Sequence, residues 1–301
     1  MLNIPSFPIN GIFLNRRIVI LYNERNLPPP LSVAVAAMRN ISQYCNKSRN
    51  VIERNILRVI KQRIMKAPKN RRVYVIGYGA ATPLGSTFES SWERAVRGEA
   101  GFRRVTRCHV QTACNVVGEI PDWDPRSLDF TDEKEIYNWN ADFVLLTMAV
   151  CQEAIRHARL EINAETGPRT ACLIGSALNG SDAYRVAMEN YVNHGPLKVS
   201  PYLLPNLCAN LPSGKAGMLL GFTGPIFSPE GACASGNYAI GIGSRMIRDG
   251  DVDFVLAGGV DTCIIPEIIH GFENMNATIK IKAGDRAHDD PARASRPFSA
   301  D

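Results

Sequence analysis

The sequence predicts an α/β fold in which a mainly parallel, mixed sheet is covered by helices on both faces. Three short apolar runs that end in glycine, residues 73–77, 170–175 and 253–258, are typical of buried strands. Segments with apolar residues at helical spacing separate these runs, as crossovers between parallel strands require. This alternation favours a doubly covered sheet over an all-helical or all-β architecture.

The predicted helices follow from periodicity and from residues typical of helix ends. The Ser86-to-Glu89 pattern is a capping box, and Gly98 is a stop signal. Pro212 fits the first turn of a helix but not its interior. Besides the helix after Cys233, which we expect to end at Gly250, the predicted helices cover residues 86–98, 139–159, 182–193 and 210–221.

Cys233 is the strongest candidate for a reactive side chain. It lies among small residues, Ala232, Ala234 and Gly236, between an extended segment (residues 224–228) and the start of a helix. This pattern predicts a sharp strand-to-helix turn, comparable to the serine nucleophile elbow of hydrolases. The positive end of the helix dipole favours a thiolate there. A small buried cysteine with a structural role is the alternative.

Composition excludes several other classes of protein. The eight cysteines form no Cys-x-x-Cys pair and no zinc-finger spacing with histidine, so we predict no metal site and a reducing, cytoplasmic compartment. No apolar run reaches the roughly 18–20 residues that span a bilayer. Nucleic-acid binding is not expected, because the net positive charge is confined to residues 1–70. Residues 1–70 contain 12 Lys and Arg against 2 Asp and Glu, and the remainder contains 22 against 27.

The chain divides into two regions. Residues 1–64 are predicted to form a basic N-terminal extension outside the catalytic fold, and Pro28-Pro29-Pro30 interrupts it. Residues 65–301 form the globular region. Two readings of the extension stay open: translation begins at Met65, or the extension is a basic targeting or anchoring segment.

Four motifs resemble the β-ketoacyl-[acyl carrier protein] synthases, the condensing enzymes of fatty acid and polyketide synthesis. Gly231-Ala-Cys-Ala-Ser-Gly236 resembles their active-cysteine motif. Three further stretches resemble the opening strand, the strand after the nucleophile helix and the end of the first half: residues 75–85, 256–261 and 294–298. The resemblance implies the N-terminal half of the thiolase-like, layered α-β-α-β-α architecture, with the C-terminal half absent.

The resemblance also implies a reaction. Cys233 would accept an acyl group from acyl carrier protein, and its backbone N–H would serve an oxyanion hole. Decarboxylative condensation with malonyl-carrier would follow, with no metal or redox cofactor. Leu178 would line the acyl pocket, although plain packing is an equal alternative. We expect a homodimer, or a partner that supplies the second half, because the family's two catalytic histidines and lysine lie beyond residue 301.

Two alternatives to the synthase hypothesis stay open. The chain could be a non-catalytic, truncated synthase half that binds carrier protein or a partner subunit. It could also be a thiolase or another acyltransferase on the same fold, which the motifs at residues 231–236 and 294–298 make less favoured. Each of the five histidines is interpreted as a surface or structural residue.

Overall fold

A computed structural model describes residues 17–24, 71–111, 115–121, 141–281 and 284–296, and for residues 17–24, 286 and 287 it describes the backbone only. The Pro28-Pro29-Pro30 break and the start of the helix predicted over residues 139–159 lie outside the described residues.

A five-stranded sheet forms the centre of the described chain. Its strands lie in the spatial order β2 (Arg72–Ala80), β1 (Arg17–Glu24), β7 (Phe254–Gly259), β5 (Thr170–Gly175) and β6 (Ile226–Phe227). Strands β5, β6 and β7 are parallel to one another, and β1 runs antiparallel to both β2 and β7. The predicted mixed sheet of an α/β fold is therefore confirmed, although two of the four strand pairs are parallel and the two made by β1 are antiparallel. A separate two-stranded ladder joins β3 (Arg103–Arg104) and β4 (Val116–Val117).

Strand β1 was not predicted from the sequence. Residues 17–24 belong to the basic extension, which we expected to lie outside the catalytic fold. In the structure their backbone pairs with β2 on one side and with β7 on the other. The pairing with β2 contains one bulge, because Ile20 is opposite Gly77 and Leu21 is opposite Val75. Periodicity alone could not reveal this partner, because about 50 residues separate the two paired strands along the chain.

Helices cover both faces of the sheet. The principal helices are α1 (Phe88–Val96), α2 (Asp142–Ala158), α3 (Ser181–His194), α4 (Leu203–Leu207), α5 (Leu211–Leu220), α6 (Ser235–Asp249), α7 (Pro266–Asn274) and the short α8 (Arg286–Asp289). Helices α2 and α5 pack together on one side of the sheet, and α6 packs against β7 and β5.

Strand β5 shows why both faces must be covered. All six of its residues are buried. Alternate side chains of a strand project to opposite faces. Ala171 and Leu173 accordingly belong to the core cluster formed with α6, and Cys172 and Ile174 belong to the cluster formed with α2 and α5. The continuous apolar run, without polar alternation, is the sequence signature of this arrangement.

The helix ends follow the expected chemistry, with one correction. Helix α5 begins at Leu211 with Pro212 in its first turn and ends at Gly221, whose φ of 75° is the left-handed conformation that glycine tolerates. The capping box of α1, however, uses Thr87 as the N-cap with Ser90 as its partner, not Ser86 with Glu89. Ser and Thr are both good caps, so adjacent candidates cannot be separated by residue type.

Within the described part of the chain, no helix is both long and apolar enough to cross a membrane.

Gly175, at the end of β5, provides a test of the packing. A Cβ atom there would lie 2.7 Å from the carbonyl oxygen of Pro229 and 2.7 Å from the Cβ of Ser235. We expect Gly175→Ala to lower the free energy of unfolding by about 1–3 kcal/mol, because the backbone must move to accept the methyl group. The measurement is urea denaturation.

Gly241, in the middle of α6, is the matched control. A Cβ atom at Gly241 would have no neighbour within 4 Å. Gly241→Ala should therefore raise the free energy of unfolding by about 0.5–1 kcal/mol through helix propensity. Equal effects of the two substitutions would contradict the close contact at Gly175.

Candidate active site

The candidate site lies at the carboxyl edge of the three parallel strands. The loops that follow β5, β6 and β7 begin at Ser176, Ser228 and Val260. Because parallel strands end at the same edge of a sheet, these loops meet there, and this edge is where open α/β sheets bind ligands. The loop after β6 carries Cys233.

Cys233 occupies a tight turn between β6 and α6. Residues Ala232–Ala234 form one 3₁₀ turn, and α6 begins at Ser235. Ala232 has a φ of 49°, which is the left-handed region that non-glycine residues seldom adopt. Such strain costs on the order of 1–2 kcal/mol. The predicted strand-to-helix turn is confirmed, and Cys233 is exposed on it.

The side chain of Ser235 holds this turn closed. Its hydroxyl accepts a hydrogen bond from the N–H of Gly231 at 2.9 Å. Its own proton can be donated to the carbonyl of Ala232, at 2.6 Å, or to that of Ser176, at 3.1 Å. Ser235 is 3% exposed, so water does not compete for these bonds. A short buried hydroxyl therefore joins the Cys233 turn to the loop after β5.

Asp261 joins the same loop to the end of β7. Its carboxylate accepts hydrogen bonds from the hydroxyl of Ser176 at 2.9 Å and from the N–H groups of Ala177 and Leu178 at 3.1 and 2.9 Å. Asp261 is 5% exposed. Hydrogen bonds to an ionised acceptor are stronger than neutral ones. The carboxylate thus fixes three consecutive residues of the loop.

Close backbone contact brings α6 onto the sheet behind Cys233. A Cβ atom on Gly236 would lie 3.2 Å from the backbone nitrogen of Gly259. Gly258 and Gly259 end β7, and Gly259 leaves room for the first turn of α6. The glycines on the two elements act as a contact pair, and Cys233 stands just outside it.

Burial separates Cys233 from most of the other described cysteines. Cys151, Cys172 and Cys263 are buried, whereas Cys208 and Cys233 are exposed. Burial raises the pKa of the Cys151 and Cys172 thiols, so both stay protonated and unreactive. Among the described residues, no group of three His, Cys, Asp or Glu could hold a metal ion.

Leu178 is placed in the loop by its backbone, not by its side chain. Its N–H donates to Asp261, and its side chain is half-buried. A cavity of about 390 Å³ lies nearby, lined by Asp182, Val186, Asn206 and their neighbours, but Leu178 is not among its lining residues. Burial raises the pKa of Asp182 in that cavity. The role of Leu178 in an acyl pocket stays a prediction.

No role was predicted from the sequence for Ser176, Ser235 or Asp261, although the last two lie within two of the four motifs. Each is a small polar residue at the end of an apolar strand or at the start of a helix. That position is a signal, because a polar residue next to a buried strand must find a hydrogen-bond partner. Which partner it finds depends on the fold, since Ser176 and Asp261 are 85 residues apart.

Comparison with known proteins identifies the family of this chain. The family description "Beta-ketoacyl synthase, N-terminal domain" matches residues 70–299, most of the chain. This chain belongs to the β-ketoacyl synthase family. The resemblance expected from the four motifs is therefore confirmed, and the match contains the Cys233 turn, Ser176 and Asp261.

Two curated relatives agree with this assignment. The 3-oxoacyl-[acyl-carrier-protein] synthase 2 of Staphylococcus aureus (strain COL) is 30% identical over 231 residues, which are 76% of this chain and 53% of the relative. The synthase 2 of Synechocystis sp. is 32% identical over 234 residues, 77% of this chain and 54% of the relative. This β-ketoacyl synthase chain thus spans about half the length of the curated relatives it matches.

The structural likeness supports the predicted thiolase-like α/β fold. A type II polyketide acyl-carrier protein in complex with its ketosynthase, bound to the hexaketide, has been solved. The chain it matches there aligns with a TM-score of 0.58 and 20% identity, over 72% of this chain and 52% of that one. At this identity the likeness bears on the fold alone.

Asp261→Asn tests the loop anchor in this β-ketoacyl synthase chain. An amide nitrogen would replace one acceptor oxygen and would face the N–H donors of the loop. We expect the free energy of unfolding to fall by about 1.5–3 kcal/mol, as for other hydrogen bonds to charged groups. Chemical denaturation measures it.

Asp249→Asn is the matched control for that substitution. The Asp249 side chain is 59% exposed and pairs with Arg245 at 3.5 Å. Exposed pairs contribute little, so its effect should stay within about 0.5 kcal/mol. If both variants lost a comparable free energy of unfolding, the hydrogen bonds of Asp261 would not stabilise the loop more than an exposed ion pair does.

Proposed function

We propose that this chain is the nucleophile-bearing half of a β-ketoacyl-[acyl carrier protein] synthase. One observation carries the proposal: an exposed cysteine stands on a strained strand-to-helix turn within the family match. The relatives are 3-oxoacyl-[acyl-carrier-protein] synthases, and a structural neighbour was solved with an acyl-carrier protein. These names support an acyl carrier protein as the partner here.

The proposed first step is acyl transfer to Cys233. The deprotonated sulfur attacks the thioester carbonyl of the acyl carrier, and the carrier thiolate leaves and takes up a proton. The product is an acyl thioester on Cys233. Within the described residues, the backbone N–H of Cys233 donates to no other backbone or side-chain group. It is thus available to stabilise the oxyanion of the tetrahedral intermediate.

The later condensation step needs groups that we do not find beside Cys233 among the residues that the structure describes. The five histidines match none of the catalytic positions that the resemblance implies; four are exposed and His270 is half-buried next to Glu273. We propose that decarboxylation of a malonyl-carrier donor and attack on the thioester depend on a second half or a partner subunit. Residues 65–301 would then act as one body in that assembly.

Exposed apolar surface on α6 supports such a partner. Tyr238 is 53% exposed and Ile242 is 37% exposed, and the two lie one turn apart on α6. Helix α6 packs on the sheet through Ala239 and Ile247. An apolar patch on a helix next to the nucleophile is typical of an interface. We propose a second copy or a partner subunit as its cover, and a reducing cytoplasm as the compartment of the free thiols.

The test is intact-mass spectrometry after incubation with an acyl-acyl carrier protein. We expect the protein to gain one acyl group, which neutral hydroxylamine removes because the bond is a thioester. Cys233→Ala should abolish the gain. Cys208→Ala is the matched control, because Cys208 is the other exposed cysteine among the described residues and its loss should leave the adduct unchanged.

The opposite results would overturn the proposal. If the folded wild-type protein forms no adduct, or if the adduct persists in Cys233→Ala, Cys233 is not the acyl acceptor. A folded protein that binds carrier protein without acylation would instead support the non-catalytic alternative.

A further inference from the structure

The parallel pairing of β5 with β6 covers two residues of each strand and ends at Leu173 and Phe227. Within it, the N–H of Cys172 donates to the carbonyl of Pro225 at 3.0 Å. Hydrogen bonds to one neighbour recur every second residue along a parallel strand. The next donor is therefore the N–H of Ile174, and the next acceptor is the carbonyl of Phe227. A side chain from a helix takes the place of that bond.

The hydroxyl of Ser213, on helix α5, bridges this donor and this acceptor. The N–H of Ile174 donates to Ser213 Oγ at 2.9 Å, and Oγ can donate to the carbonyl of Phe227 at 3.2 Å. The carbonyl of Ile174, at 3.3 Å, is the alternative acceptor. Ser213 is fully buried, so water does not compete for these bonds. One hydroxyl thus replaces one ladder hydrogen bond and keeps the two strands apart at this point.

The same hydroxyl also holds the first residue after β6. Ser213 Oγ and Ser228 Oγ lie 2.7 Å apart. A serine hydroxyl donates one proton and accepts at two lone pairs. When Ser228 donates to Ser213, Ser213 accepts from Ser228 and Ile174 and donates to Phe227, so its whole capacity is used. Fully paired buried networks of this kind make the local structure rigid.

The segment between Ser228 and Cys233 is short and closely held. A Cβ atom on Gly175 would lie 2.7 Å from the carbonyl oxygen of Pro229, so Pro229 lies directly against the end of β5. The N–H of Gly231 is hydrogen-bonded to the first turn of α6. Because the segment has little freedom, a displacement at Ser228 is transmitted to Cys233.

We propose that Ser213 is a positioning residue for Cys233: its hydroxyl ends the pairing of β5 with β6 and directs residues 228–233 away from β5 into the exposed turn. The inference rests on the proposed function, because it concerns the same cysteine. Without the hydroxyl, the N–H of Ile174 and the carbonyl of Phe227 would be buried and unpaired, which is costly. A direct bond between them would extend the ladder by one step and draw the turn toward β5.

Acylation kinetics of Ser213→Ala test this role. We expect the maximal rate of acyl transfer to Cys233 to fall about tenfold, because small misplacements of a reacting group are costly, while the half-saturating concentration of acyl carrier stays unchanged. Ser244→Ala is the matched control, since the Ser244 hydroxyl donates to the carbonyl of Ile240 within α6 at 2.8 Å. Partial unfolding would lower the acylated fraction instead of the rate. A wild-type maximal rate in folded Ser213→Ala would overturn the proposal.

Ser228→Ala tests whether the effect passes through the paired hydroxyls. We expect this substitution to slow acyl transfer by itself, and the double variant with Ser213→Ala to be no slower than Ser213→Ala alone. Residues of one hydrogen-bond network show such non-additive effects. Losses that add in the double variant would overturn the proposed path from Ser213 to Cys233.

Crystal structures of the wild type and of Ser213→Ala separate this inference from the proposed function, because neither structure requires an acyl carrier. In the variant we expect the nitrogen of Ile174 and the carbonyl oxygen of Phe227 to approach to about 3 Å, and residues 228–233 to move with β6. An unmoved turn would overturn the positioning role of Ser213. If the structures differ as expected but the folded wild type accepts no acyl group, the proposed function fails instead.

Discussion

The candidate site depends above all on the hydrogen bonds that Asp261 accepts from the loop after β5. They connect the ends of two neighbouring parallel strands, and Ser235 connects that loop in turn to the Cys233 turn. Two buried polar side chains thus join three loops that lie far apart in the sequence. Because buried hydrogen bonds reinforce one another in a low dielectric, the three loops form one unit. The strain at Ala232 can persist because this unit over-determines the turn.

The sheet provides the rigid base on which that unit rests. Strand β5 is buried on both faces, and the close approach of Gly236 to Gly259 fixes α6 on the neighbouring β7. Sites built on strand ends and helix starts are held more precisely than sites within long loops. The position of Cys233 therefore follows from the packing of β7 and α6, whereas its exposure follows from the small residues beside it.

The sequence sufficed for features that depend on local chemistry or on a motif. The apolar run of β5, the proline and glycine that bound α5 and the turn at Cys233 all have local signatures. The family assignment followed from motifs in the right order. Features that depend on distant partners were missed: the Ser176–Asp261 bond joins residues 85 positions apart, and residues 17–24 showed no sign of their place beside β2. A strand's partner is chosen by the fold as a whole, and no local pattern records it.

The most direct test of the site as one unit is the rate of acyl transfer to Cys233 in Asp261→Asn, compared with wild type and with Asp249→Asn. The rate is followed by intact-mass spectrometry at a temperature where all three proteins are folded. If Asp261 positions the turn through Ser176 and Ser235, the rate in Asp261→Asn should fall by roughly ten- to a hundredfold, since small misplacements of a reacting group cost that much. Asp249→Asn should match wild type. A folded Asp261→Asn protein that is acylated at the wild-type rate would contradict the dependence of Cys233 on this carboxylate.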